Sequence, residues 1–480
     1  MRSTSLRLTL PFVLLGLASC GAERPPEDGS LTAGALPNAA VPTTFAAGSD
    51  TAAVTSGWLA TFGDAQLEKL VAEALVGNRD LAVMKARLDQ AASRARQAGA
   101  DLKPQVSLAA GANAGGSADG AKTEQMGAGL TMTWEIDVWG RMSAGQAAAQ
   151  EAYASTVADT AFARESLAAQ VAKGWFLAIQ AVHQENISAS AVALRKRNLE
   201  IASERQRVGK AASTDVALSR ADLAGAEDAL EKAKSGRENA ARSLQILLGR
   251  YPSAELTIAA QLPTLPPPPP AGLPSQLMER RPDLIAATRR VASAFNQVES
   301  AKAARYPRFA ITADGGALSQ DFKSLSLDDA LWNIGANMLG PIFDGGRLKE
   351  QVVIETAKQD EALALYGKAA LEAFRQVETA LTESRRLITR VDLLASAEKD
   401  QNEAERLTQA RFDAGAIDQL VLILVQERAL RSRLASLAIK VEALTNRVNL
   451  HLSLGGSFEL PPPTPDNLSP PSKAIPKDKK

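Results

Sequence analysis

The chain matches itself when it is shifted by about two hundred residues. Asp80-Leu81 falls on Asp283-Leu284 and Pro104 on Pro307 at a shift of 203; Arg141, Arg205, Gly209 and Gly249 fall on Arg347, Arg411, Gly415 and Gly455 at a shift of 206. Two copies of one unit therefore fill most of the sequence. Such a repeat comes before any other inference, because it fixes what one unit must bury and how many units close a structure. It points to one body built twice, where 480 residues would ordinarily hold two or three domains.

Residues 1–19 read as a signal peptide, in which Arg2 and Arg7 precede an apolar run from Leu8 to Leu17. That run is too short to span a membrane permanently. Leu17-Ala18-Ser19-Cys20 resembles the lipobox of bacterial lipoproteins, whose cysteine becomes the first mature residue and carries lipid. Cys20 is the only cysteine, so no disulfide forms within the chain. In such lipoproteins an Asp after the cysteine favours the inner membrane, and Gly21 here points to the outer one. Residues 20–57 read as a lipidated linker, rich in Ala, Thr, Pro and Gly. Repeat 1 covers 58–262, a Pro-rich connector 263–274 and repeat 2 275–460; the Pro- and Lys-rich tail 461–480 reads as disordered.

Each repeat reads as a helix, two strands and a long helical hairpin. Helical composition runs from Asp64 to Lys103 and from Pro282 to Arg305, ended by Pro104 and Pro307. Pro282-Asp283 is a good helix start, since proline fits the first turn and a carboxylate favours the positive end of the dipole. Beyond each of the two closing prolines the hydrophobic period falls from about 3.6 to 2. Val106, Leu108 and Ala110 alternate with Gln105, Ser107 and Ala109, and Leu130, Met132, Trp134 and Ile136 alternate with Thr131, Thr133 and Glu135. Phe309, Ile311 and Ala313, then Trp332, Ile334, Ala336 and Met338, repeat the pattern. Hairpins are expected at about 105–138 and 308–340.

A single such hairpin fits a soluble core. Four features together favour a membrane: strands of about ten residues, a polar face of Thr, Asn, Gly and acidic groups, Trp134, Trp139 and Trp332 suited to interfaces, and the lipidated N-terminus. Four strands cannot close a barrel, because an open edge in lipid leaves backbone groups unpaired. Three chains would supply twelve strands, enough for an interior too wide for side chains to fill.

No proline interrupts 140–209, and a helix of that length would reach roughly 100 Å. Gly209 and Gly415 break the long runs at equal spacing from Arg205 and Arg411, and glycine at a helix C-terminus lets the chain turn back, so hairpin tips are expected near 209 and 415. The clearest coiled-coil seam is Leu430, Leu434, Leu437, Val441, Leu444 and Val448; a weaker one runs from Leu223 to Leu247, one position out of phase.

Catalysis is not expected. Lys+Arg and Asp+Glu balance at 54 each, which argues against nucleic acid as a partner. His183 and His451, the only histidines, have no metal-ligand spacing, and no nucleophile elbow, P-loop or dinucleotide fingerprint occurs. Neither a metal nor a cofactor is anticipated beyond covalent lipid on Cys20.

Four motif groups then stand out: Trp58, Phe62-Gly63-Asp64 and Asn78-Arg79-Asp80-Leu81; Trp134-Glu135-Ile136-Asp137 with Gly140-Arg141; Arg280-Arg281-Pro282-Asp283-Leu284 with Tyr306-Pro307; and Pro341-Ile342-Phe343-Asp344-Gly345-Gly346-Arg347. Together they resemble the TolC-like outer-membrane efflux proteins, in their lipoprotein branch, over about residues 58–460. The resemblance implies a mainly α fold with a small β part. It implies a homotrimer with a twelve-stranded barrel in the outer membrane lipid and a long coiled-coil barrel of helices in the periplasm. Such proteins are exit ducts of tripartite efflux systems, often of the resistance-nodulation-division class. They meet a periplasmic adaptor and an inner-membrane pump, and passively pass small molecules such as drugs or toxic compounds.

Carried onto this sequence, the resemblance assigns Arg205, Val208, Gly209, Arg411, Ala414 and Gly415 to hairpin tips that adaptors meet. It assigns Asp418, Leu420 and Leu424 to a periplasmic gate. Many relatives carry Asp where Leu424 stands, so Asp418 is the nearest acidic group and an apolar ring, able to close by dewetting, is the expectation. The alternative is that these leucines pack within the coiled coil. Two other readings of the whole chain stay open: a type I secretion duct, whose branch generally lacks the lipobox, and a lipid-anchored periplasmic coiled-coil scaffold without a pore.

Overall fold

A computed structural model describes residues 28–38, 41–48, 50–117, 119, 122–319 and 330–459. The signal peptide, Cys20 and the tail 461–480 lie outside the described residues. Helix α1 (Asp28–Ala35) and a 3-10 turn (Trp58–Phe62) precede the first copy, which comprises α2 (Ala65–Gly77), α3 (Arg79–Ala100), β1 (Gln105–Gly116), β2 (Lys122–Ile136), α4 (Arg141–Arg207) and α5 (Ser213–Leu247). The second copy repeats this order with α6 (Pro274–Arg280), α7 (Pro282–Ala303), β3 (Arg308–Ser319), β4 (Ala330–Leu339), α8 (Arg347–Asp413) and α9 (Gln419–Ser453). Copy-related helices match in length: 22 residues in α3 and α7, 67 in α4 and α8, 35 in α5 and α9.

The single helical run read from Asp64 to Lys103 is in fact two helices. Asn78 is extended (φ −64°, ψ 132°), and its amide oxygen accepts from the Asp80 and Leu81 N–H groups at 2.9 and 3.1 Å, capping α3. Its copy-related residue, Arg281, breaks the chain in the same way (φ −73°, ψ 121°), as the residue before a proline prefers. Composition does not reveal the first break, because Asn is only mildly unfavourable inside a helix and becomes a stop signal through its cap.

The chain divides into two compact units. One contains Arg96–Ala149 and Ala292–Gln359, and within it the strands form a single antiparallel sheet in the order β1-β2-β3-β4. Glycine is required where β2 meets β3. Gly129 and Gly316 are register partners, and a Cβ on Gly316 would lie 2.5 Å from the Ala128 carbonyl oxygen and 2.6 Å from the Gly129 Cα.

The other unit contains Leu31–Ala95, Gln150–Val291 and the residues from Asp360 onward. Two of its clusters of buried side chains hold copy-related residues. Trp58, Leu67, Trp175, Phe176, Leu244 and Leu248 belong to one; Leu284, Val377, Leu381, Leu450 and Leu454 belong to the other. Leu244 and Leu248 are copy-related to Leu450 and Leu454. The second core also takes in Leu36 and Phe45, and Glu378 accepts the Ala46 and Ala47 N–H groups at 2.7 and 2.8 Å. Residues 28–57 thus do more than link. Their apolar residues are too sparse to show a period, yet single ones fill places on helix surfaces.

The coiled-coil seams also differ in part from the sequence reading. Along α5 the line from Leu223 to Leu247 is half-buried or buried, as expected. On α9, Leu437, Val441, Leu444 and Val448 are buried but Leu430 and Leu434 only half-buried. A second buried line passes through Leu422, Gln426, Ala429, Ser436, Ala443, Arg447 and Leu450. Its polar members hide it from any search for leucines.

Candidate functional site

Strand register is what turns four short alternating segments into a surface. Val106 pairs with Met132, Met132 with Ala313 and Ala313 with Ile334; Leu108, Leu130, Gly315 and Trp332 form the next such row. Apolar residues of both copies thereby share one face, since side chains alternate with period two and all three pairings keep phase. The opposite face carries Ser107, Thr131, Asp314 and Asn333 in one row, and Asn337 donates to Thr312 at 3.3 Å diagonally between two others. Among the described residues nothing covers this part of the apolar face: Leu108 is 72% exposed and Trp332 80%. An apolar patch of this extent marks a contact with lipid or protein. Among the described residues β1 and β4 each have one unpaired edge.

The strand ends are held by polar contacts. Trp134 Nε1 donates to the Leu102 carbonyl at 3.0 Å, and Trp139 Nε1 to the Pro307 carbonyl at 2.7 Å while its ring packs on Tyr306. Asp137 accepts the Met142 and Ser143 N–H groups at 2.9 and 2.7 Å, capping α4; Asp344 accepts those of Gly346 and Leu348 at 3.0 and 2.9 Å, capping α8.

Within the helical unit, both hairpin tips are built alike. Gly209 and Gly415 share a φ of 72°, the left-handed region that a side chain strains to enter. At each tip a six-residue closure satisfies the helix end: Lys210 N–H to the Arg205 carbonyl at 2.7 Å, and Ala416 N–H to the Arg411 carbonyl at 2.9 Å. Five residues separate the helices in both hairpins. The side chains then diverge. Arg205 lies over the buried ring of Phe412, 4.5 Å from its centroid, so the two tips of one chain touch; Arg411, Val208, Ala414 and both glycines are exposed. Sequence reasoning named Arg205 but missed Phe412, which stands 207 positions away and has Gln206 as its copy-related residue.

The proposed gate residues open α9. Asp418 is its N-cap residue without a side-chain capping bond, Leu420 is 63% and Leu424 48% exposed, and Leu422 between them is fully buried. Leu420 and Leu424 are therefore only partly covered by the described residues. Leu218, copy-related to Leu424, is 61% exposed as well, a match the shift of 206 makes visible. One turn beyond, Gln426 is buried and its amide oxygen accepts from Asn198 Nδ2 at 2.9 Å and Arg195 Nη1 at 3.3 Å, while its Nε2 donates to Gln409 at 3.3 Å. No described helix is long and apolar enough to cross a membrane.

A model of the outer membrane efflux proteins matches residues 70–250 and 273–456, one stretch in each copy. The chain is 27% identical over 471 residues to the pyoverdine export outer membrane protein OpmQ of Pseudomonas aeruginosa, covering 94% of this chain and 97% of that one. It is 26% identical over 411 residues to the cation efflux system protein CusC of Escherichia coli, covering 84% and 89%. Among solved structures, the outer-membrane channel OprN gives a TM-score of 0.79 at 27% identity over 87% of this chain and 97% of that one. The Campylobacter jejuni CmeC outer membrane channel gives 0.83 at 23% identity over 88% and 94%, a likeness of fold.

Proposed function

Because the chain belongs to the outer membrane efflux protein family, we propose that three copies of it close one pore, each supplying four strands to a twelve-stranded barrel. The chain itself is an outer-membrane efflux channel, mainly helical and internally duplicated. The observation that carries the trimer is the sheet: its apolar face is uncovered and both its edges are unpaired. Pairing β1 of one copy with β4 of the next satisfies the edges and turns the apolar face to lipid, the one arrangement in which a sheet can span a bilayer.

In this reading Cys20 carries the lipid that anchors the mature N-terminus to the outer membrane. The tips around Gly209 and Gly415, with Arg205, Val208, Arg411 and Ala414, receive a periplasmic adaptor, which joins the channel to an inner-membrane pump. The relatives named for pyoverdine and cations show how varied the cargo of such channels is, and the cargo here is a small molecule delivered by the pump. No reaction is performed by the duct. Leu420 and Leu424 narrow its periplasmic end, with Asp418 adding charge.

Outer-membrane fractions run unheated on a gel are expected to show a trimeric species that boiling converts to monomer. In planar bilayers the Leu420→Ser channel is expected to conduct several-fold more than the wild type. A monomer in unheated samples would refute the trimer, and unchanged conductance would refute the gate.

A further inference from the structure

The helical unit contains a cavity of about 260 Å³ between α4 and the pair α8 and α9. Arg195 on α4 and Arg433 on α9 line it, together with Glu405 on α8 and the apolar side chains Ile187, Leu194 and Leu430. The two arginines are not equivalent. Arg433 is neutralised, its guanidinium pairing with Glu405 and donating to Asn402 at 2.7 Å. Arg195 is only 7% exposed and forms no ion pair among the described residues. A single bond, from Nη1 to Gln426, holds it at 3.3 Å, and that oxygen already accepts from Asn198. A guanidinium has five N–H donors, so four are left without a described protein acceptor. None of its free nitrogens is sealed from solvent, so an anion entering the cavity can reach them and supply the counter-charge that a largely buried cation favours.

The geometry points to this cavity as a binding site for a small organic carboxylate with an apolar body. One uncompensated positive charge suits a monoanion, and a planar guanidinium matches a carboxylate in a two-bond fork. The apolar wall favours a hydrocarbon part over a bare inorganic ion. The volume, just under the usual range of ligand pockets of about 300–1,000 Å³, limits the ligand to a small acid.

Equilibrium dialysis of radiolabelled benzoate against the purified full-length protein in uncharged detergent tests the assignment. One saturable site per chain is expected. Unlabelled benzoate should displace the label, while benzamide, with the same ring and no charge, should not. Inorganic phosphate should compete at least tenfold more weakly. Arg195→Gln should weaken binding at least tenfold, and so should Ile187→Trp, which fills the cavity and leaves the charge. Absence of saturable binding overturns the proposal, including the case in which a neighbouring copy's carboxylate occupies the site. Equal competition by benzamide or phosphate, or binding unchanged by Ile187→Trp, overturns it too. If Arg195→Gln fails to assemble, Ile187→Trp and benzamide decide the matter.

Discussion

The ends of α5 and α9 occupy copy-related places, yet they bury polar groups in opposite ways. Gln245 on α5 is 2% exposed and fully employed: its Nε2 donates to the Glu255 carbonyl at 3.1 Å and its Oε1 accepts the Ala254 N–H at 2.9 Å. His451 on α9, 206 positions on, is 4% exposed, and neither ring nitrogen has a hydrogen-bond partner among the described residues. It stacks instead on Trp58, ring centres 5.9 Å apart and planes 19° from parallel. Nearby, Asn78 and its copy-related Arg281 donate to the copy-related carbonyls of Leu247 and Ser453 at 2.9 and 3.1 Å. The backbone pattern has been kept while different side chains meet its needs. Duplication, then, hands on geometry through a few caps and left-handed glycines, and leaves buried chemistry free to diverge.

The harshest test of that distinction is to put a residue of the first copy into the second. Asn113 on the edge strand β1 corresponds to Gly316, so Gly316→Asn imports a side chain that β1 tolerates into the close β2–β3 approach. A loss of about 3 kcal/mol or more is expected, as for severe overpacking, read as disappearance of the proposed trimer from unheated samples. The converse Asn113→Gly should keep it. If Gly316→Asn assembles normally, strand neighbours do not decide what each copy tolerates.

His451 should make stability sensitive to acid in a way that Gln245, at the copy-related place, does not. Burial, and then the charge of Arg447, push its pKa down to about 4. In the unfolded chain the ordinary value is about 6.5, so as pH falls through that value the unfolded state takes up a proton that the folded state refuses. Stability is lost from about pH 6.5 down to about 4, and between pH 7 and 5 the loss amounts to about 2 kcal/mol. Urea midpoints followed by helical circular dichroism at the two pH values should show it. His451→Gln, which installs the first copy's residue, should remove this part of the pH dependence.

Gly209→Ala and Gly415→Ala should cost about 1 kcal/mol each, the strain of a left-handed backbone carrying a Cβ. Beyond the adjacent residues, no described atom lies within 4 Å of either added Cβ, so the two costs should be equal. Unequal urea midpoints would break the equivalence of the tips. The smallest effect expected is the coupling of Arg205 to Phe412, about 0.5–1 kcal/mol in a double-mutant cycle with Arg205→Met and Phe412→Leu. Gln206→Leu, at the position related to Phe412, should show no coupling to Arg411.

Much of the candidate site was legible in the residue pattern. The change of period after Pro104 and Pro307 located both hairpins, and Gly209 and Gly415 located both turns. What escaped was chemistry between residues far apart in the chain. Arg195 reads as one more charge on a helix face, and only packing of α4 against α8 and α9 makes it a buried, unpaired cation. Phe412 reads as an isolated aromatic until Arg205 arrives above it. Leu218 was within reach, since it pairs with Leu424 at the same shift that reveals the repeat.

Sequence by itself determined the elements of this protein, their order and their doubling, because period, proline, glycine and capping residues act over a few neighbours. Tertiary structure alone decided which faces those elements share. The strand register joined the apolar halves of two hairpins into one lipid-ready surface, and helix packing buried a polar line on α9 beside its leucines. It also set Gln245 and His451, equal in place, in unequal surroundings. Burial and pairing depend on what lies across a space of a few ångströms, and across such a space the chain is often two hundred residues away.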